Sequence, residues 1–102
     1  MNQQTQQRPA APGYWMHETG GALAPAILRY LENEPLTVRD LVLIRAYIRQ
    51  WIHADVWDSN PNLGEDGRAE LARLRRLAQG LNNRDAIDSW IAESVDFGLD
   101  PL

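Results

Sequence analysis

Residues 36–57 read LTVRDLVLIRAYIRQWIHADVW, and the fold turns on how this stretch is interpreted. At about 100° per residue, Val38, Leu41, Ile44, Tyr47, Ile48, Trp51 and Ile52 cover roughly half of a helix circumference, while Val42, Leu43, Ala46 and Ala54 spread over the rest. A helix that is apolar nearly all round is a buried one. The stretch therefore predicts a central helix over about Val38–Trp57, with the remaining helices packed around it. Thr37 is placed as its N-cap and Asp40 as the N3 residue that answers the cap. Leu36, just before them, is a candidate hydrophobic staple.

Working outward, Gly21–Asn33 reads as a helix with Leu23, Ile27, Leu28, Tyr30 and Leu31 on one face and Arg29, Glu32 and Asn33 opposite. Pro25 is tolerated in its first turn, and Glu34-Pro35 ends it. After the central helix, Asp58-Ser59-Asn60-Pro61-Asn62 is a polar breaker, so 57–64 is read as a loop. A third helix is expected over about Glu65–Gln79, with a stripe of Leu71, Leu74, Leu77, Ala78 and Leu81 and a stop at Gly80. A fourth follows over about Arg84–Phe97, capped by Asn83, with Ile87, Trp90, Ile91, Val95 and Phe97 as its apolar side. Gly98 then Leu99 suggests a Schellman ending, and Asp100-Pro101 prevents continuation. The fold class is all-α: a four-helix bundle-like domain over 14–102. Residues 1–13 hold four glutamines and two prolines but no apolar run, so they are expected to form a flexible arm.

Composition narrows the function. The chain has 102 residues and no cysteine, which excludes disulfide scaffolds, iron–sulfur sites and thiolate zinc sites. No apolar stretch is long enough to span a membrane, and residues 1–13 lack the apolar core of a secretory signal, so the cytoplasm is the expected compartment. Fourteen acids face ten cations, giving a net charge of −4, which disfavours a general nucleic-acid binder. Every cation is arginine, so any anion would be held by planar, bidentate guanidinium groups.

Arg68, Arg73, Arg75 and Arg76 lie opposite the leucines of the third helix and could form an anion or nucleic-acid surface. The bland alternative is that they pair with Asp85, Asp88, Glu93 and Asp96 of the fourth helix, and it is preferred. A DNA-reading helix-turn-helix is disfavoured because the would-be recognition helix is acidic. Arg45 falls within the apolar arc of the second helix and is read as a buried polar residue needing a partner, Glu18 or Asp96. Against a binding role, a side chain snorkelling at the edge of that arc is preferred.

The segment Tyr14-Trp15-Met16-His17-Glu18-Thr19-Gly20-Gly21 precedes a helix start, but it has neither a phosphate-loop ending nor a dinucleotide signature. It is either a lid on the bundle or a contact site. The two histidines, His17 and His53, have no metal-binding spacing, and no serine sits in a nucleophile elbow. No catalytic residue, metal or cofactor is assigned, and the protein is not expected to be an enzyme.

The leading expectation is an α-helical protein-interaction module, acting as an accessory or regulatory subunit or an inhibitor of another protein. Its contact candidates are Trp15, His17, Glu18 and Trp57, and homo-oligomerisation through one amphipathic face belongs to this class. The alternative is a nucleic-acid-associated protein using Arg68, Arg73, Arg75 and Arg76. A small-ligand binder or enzyme around Arg45 and His17 ranks third.

Overall fold

A computed structural model describes residues 13–17 and 21–102 of the chain. Four α-helices follow in order: α1 (Leu23–Leu31), α2 (Val38–Ile52), α3 (Gly64–Leu77) and α4 (Arg84–Asp96). Short 3-10 turns lie at Tyr14–His17, Asp55–Trp57 and Ala78–Gly80, and there is no strand among the described residues. The all-α four-helix architecture is as expected. Of the arm expected over 1–13, all but Gly13 lies outside the described residues.

The start of α2 forms for the reasons its sequence suggests. The Thr37 hydroxyl accepts from the Asp40 amide at 3.0 Å, and the Asp40 carboxylate accepts from the Thr37 amide at 3.0 Å. Two amides with no partner inside the helix are thereby satisfied reciprocally. Leu36 and Leu41 both pack against the core on either side of this cap.

Some helix ends differ from the sequence expectation and others match it. The first helix stops at Leu31 because Asn33 adopts a left-handed backbone, φ 58°. Asn33 and Glu34 then donate to the carbonyls of Tyr30 and Arg29 at 3.1 and 2.9 Å, a Schellman closure with asparagine in the usual glycine position. The second helix stops at Ile52, five residues short of Trp57. There Ala54 turns extended, and Trp57 folds back so that its indole N–H donates to the Trp51 carbonyl at 2.7 Å. The third helix tightens into the 3-10 turn at Ala78–Gly80. The fourth begins on the predicted cap, with Asn83 Oδ1 accepting from the Ala86 amide at 2.8 Å. It ends in the predicted Schellman motif: Gly98 has φ 99°, and Gly98 and Leu99 donate to Val95 and Ser94.

The core is centred on α2, which contributes Ile44, Tyr47, Ile48, Trp51 and Ile52, packed with Ile27 of α1, Leu71 and Leu74 of α3 and Ile87 and Trp90 of α4. Trp51 meets Trp57 and Trp90 edge-on, with ring centroids 5.1 and 6.4 Å apart. Although α2 is the main supplier of the core, it is not covered all round. Val38, Val42, Ala46 and Gln50 make an exposed strip along its outer side. The C-terminal tail closes the other side: the Tyr47 hydroxyl donates to the Pro101 carbonyl at 2.8 Å, and the Gly13 amide to Leu102 at 3.0 Å.

Candidate interaction groove between the third and fourth helices

The arginines are spent mostly on the fold itself. Arg29 of α1 grips the Asp40 carboxylate with both ends of its fork, at 3.0 and 2.7 Å. Asp40 is almost fully buried, and the Arg29 guanidinium, helped by the Thr37 amide, lowers its carboxyl to about 2. Arg75 of α3 reaches the carbonyls of Ile52 and Ala54 at the end of α2, at 2.9 and 3.4 Å, and pairs with Asp58. Arg49 of α2 does the reverse, donating to Ala78 and Gln79 at the end of α3, at 3.2 and 2.9 Å. The two helices therefore cap each other's C-termini with guanidinium groups, which suit both the orphan carbonyls and the negative end of the helix dipole. Arg84 bonds Asn33 and the Glu34 carbonyl while lying over the Tyr30 ring, whose hydroxyl donates to Asp88.

Two of the four arginines on the outer side of α3 are paired. Arg73 is held by Glu70 and Glu93, which raise its pKa above the ordinary value, while Arg73 lowers that of Glu70. Arg75 is committed to α2. Of the four candidates only Arg68 and Arg76 are exposed without a hydrogen bond or ion pair among the described residues. They stand eight residues apart, about 12 Å along the helix, too sparse for a phosphate-tracking surface.

The remaining candidates move as well. Trp15 is only 4% exposed and points its indole N–H at the Leu102 carbonyl. It is a packing residue with no surface left for a partner, whereas its neighbour Met16 is 65% exposed. Trp57 is half-buried against Trp51 and borders a cavity of about 260 Å³ with Leu63, Leu71, Phe97 and Leu99. His17 contributes backbone to the first 3-10 turn, and Glu18 lies outside the described residues. Arg45 is not a buried polar residue: it is half-buried, and its guanidinium reaches out to Asn82 Oδ1 at 2.7 Å. Its stem lies at the margin of the buried arc, so the head snorkels to an amide and needs neither Glu18 nor Asp96. Among the described residues the buried polar side chains are instead Asp40 and Ser94, the latter donating to the Leu99 carbonyl at 2.6 Å. Among the described residues no three histidine or carboxylate side chains converge on a metal position.

What the structure adds is a groove of about 520 Å³ where α3 meets α4. Leu77, Leu81, Ala86 and Trp90 line its apolar middle, Arg76 and Gln79 one rim, and Ser89 and Glu93 the other. It opens because the helices are joined by a tight turn, and the facing side chains there, Gly80, Ala86 and Ser89, are too small to fill the angle. Leu77 is left 42% exposed at its edge, while Trp90 beneath is anchored by donating to the Leu74 carbonyl at 2.9 Å. Sequence periodicity put Trp90 in the core, where it lies, but also put Leu77 there and did not find the groove. Comparison with protein-family models, curated proteins and solved structures found no match, so the groove is interpreted on its own chemistry.

Proposed function

We propose that this chain is a protein-interaction module, an accessory or regulatory subunit or an inhibitor, and that the α3–α4 groove is its recognition surface. The observation that carries this reading is the groove's make-up: an apolar middle with a polar rim, open at the surface of an otherwise well-satisfied bundle. The rim supplies a guanidinium at Arg76 and a carboxylate at Glu93, which suits the orientation of a peptide or helix face rather than bond-making chemistry. The groove holds no histidine, and among the described residues no hydrogen bond joins Ser89 to the Glu93 carboxylate one turn away, so no nucleophile–base pair is assembled.

The test compares tagged wild-type protein with a Leu77→Asp variant, each used to retain proteins from extracts of the native host after nuclease treatment and a high-salt wash. A defined protein retained by the wild type and lost with Leu77→Asp is the expected result. Identical retention by both, or retention of nucleic acid that salt removes, would overturn the reading.

A further inference from the structure

The two rims of the groove carry opposite charge, and each side has unspent capacity. On α3, Arg76 makes no hydrogen bond or ion pair among the described residues, while Leu77 beside it projects from the groove edge. On α4, Asp85, Ser89 and Glu93 recur every four residues and so form one ridge. Asp85 makes no ion pair among the described residues, and only one carboxylate oxygen of Glu93 is engaged by Arg73. A surface with an apolar middle and one rim of each sign is complementary to itself. A two-fold axis running along the groove places the basic rim of one copy over the acidic rim of the other. It also brings each Leu77 toward the opposing apolar middle. Closed two-fold dimers are the commonest oligomers, and their interfaces are one patch meeting itself.

We infer that the occupant of the groove is a second copy of this chain, in an isologous dimer with Leu77 of each copy entering the other's groove and Arg76 facing Ser89 and Glu93 across the axis. This rests on the groove being the recognition surface, as proposed above, and names its partner.

The experiment is sedimentation velocity on the full chain from low micromolar to near-millimolar concentration, at low and at moderate salt. The wild type is expected to pass from monomer to dimer. Arg76→Glu and Glu93→Arg each set like charges opposite one another twice, and are each expected to weaken association about tenfold or more. Mixed in equal amounts, the two variants restore both contacts in a heterodimer, because an isologous interface uses each pair twice. Far-UV circular dichroism and thermal melting confirm that both variants are folded, and Leu77→Asp, which touches no ion pair, serves as a third variant. A wild type that stays monomeric throughout, a dimer indifferent to Leu77→Asp, or a mixture that fails to re-associate would each overturn the inference. None of these disposes of the recognition reading itself. That reading falls only if groove variants leave heterologous capture from host extract unchanged, so the two failures are told apart.

Discussion

Two inter-helix corners of this molecule use similar residues to different ends. At the α1–α2 corner, Asn33 closes one helix, Thr37 and Asp40 open the next, and Arg29 and Arg84 tie the connection to both neighbours. At the α3–α4 corner the polar groups are equally well provided for: Arg49 takes the α3 carbonyls and Asn83 caps α4. Both corners leave apolar side chains exposed, Leu31 and Val38 at the first and Leu77 at the second, and at the second the exposed leucine borders a groove of about 520 Å³. Hydrogen-bond satisfaction and apolar closure are separate tasks in a small bundle, and a corner that completes the first while leaving a concave apolar surface retains the capacity to bind.

The largest test of this contrast is at the groove itself. Trp90→Ala removes a fully buried indole and its bond to Leu74, and is expected to cost about 3–5 kcal/mol in urea unfolding. Leu77→Ala, on the same groove, is expected to cost about 1 kcal/mol or less, since 42% of the residue is already exposed. Equal losses at the two positions would mean the groove is closed in solution.

The reciprocal arginine caps come next. Arg49→Met and Arg75→Met are each expected to destabilise by about 1–3 kcal/mol, the range for hydrogen bonds to charged groups. Lysine at either place should restore only part of the loss, because one ammonium does not span two carbonyls as a planar fork does. Full rescue by lysine would show that charge alone matters.

At the α1–α2 corner, Asp40 supplies a pH signature. Its carboxyl is lowered from 3.8 to about 2 in the folded chain, chiefly by Arg29. As acid is added the unfolded chain takes up this proton first. The stabilisation is therefore present above about pH 4 and is lost as pH falls from there through 2. Denaturation curves for Asp40→Asn should show a shallower acid limb than the wild type. Some slope should remain, because Arg75 also lowers Asp58 and Arg73 lowers Glu70. An unchanged limb would remove Asp40 from the account. Thr37→Ala, at the same cap, is expected to cost about 1 kcal/mol by the same unfolding measurement.

Much of the fold was legible because it depends on local chemistry. Thr37–Asp40, Asn83 and Gly98-Leu99 are short-range signals, and each sits where its residue types require. The end of α2 was not legible, since the Trp57 indole folds back onto its last turn and Arg75 reaches its carbonyls from far along the chain. For the same reason the pairing of Arg29 with Asp40 and of Arg45 with Asn82 went unread. Periodicity gives a residue's angle but not the neighbour that will meet it. The groove was hidden by the same limit, because leucines at the edge and at the centre of a stripe look alike until the partner helix is placed.

The central claim, that the α3–α4 groove is where a second copy of this chain docks, is tested most directly by amide chemical shifts of 15N-labelled protein across a dilution series. The account predicts concentration-dependent shifts confined to residues 76–93, with the α1–α2 corner unmoved. Shifts centred on the exposed strip of Val38, Val42 and Ala46, or none at any concentration, would contradict it.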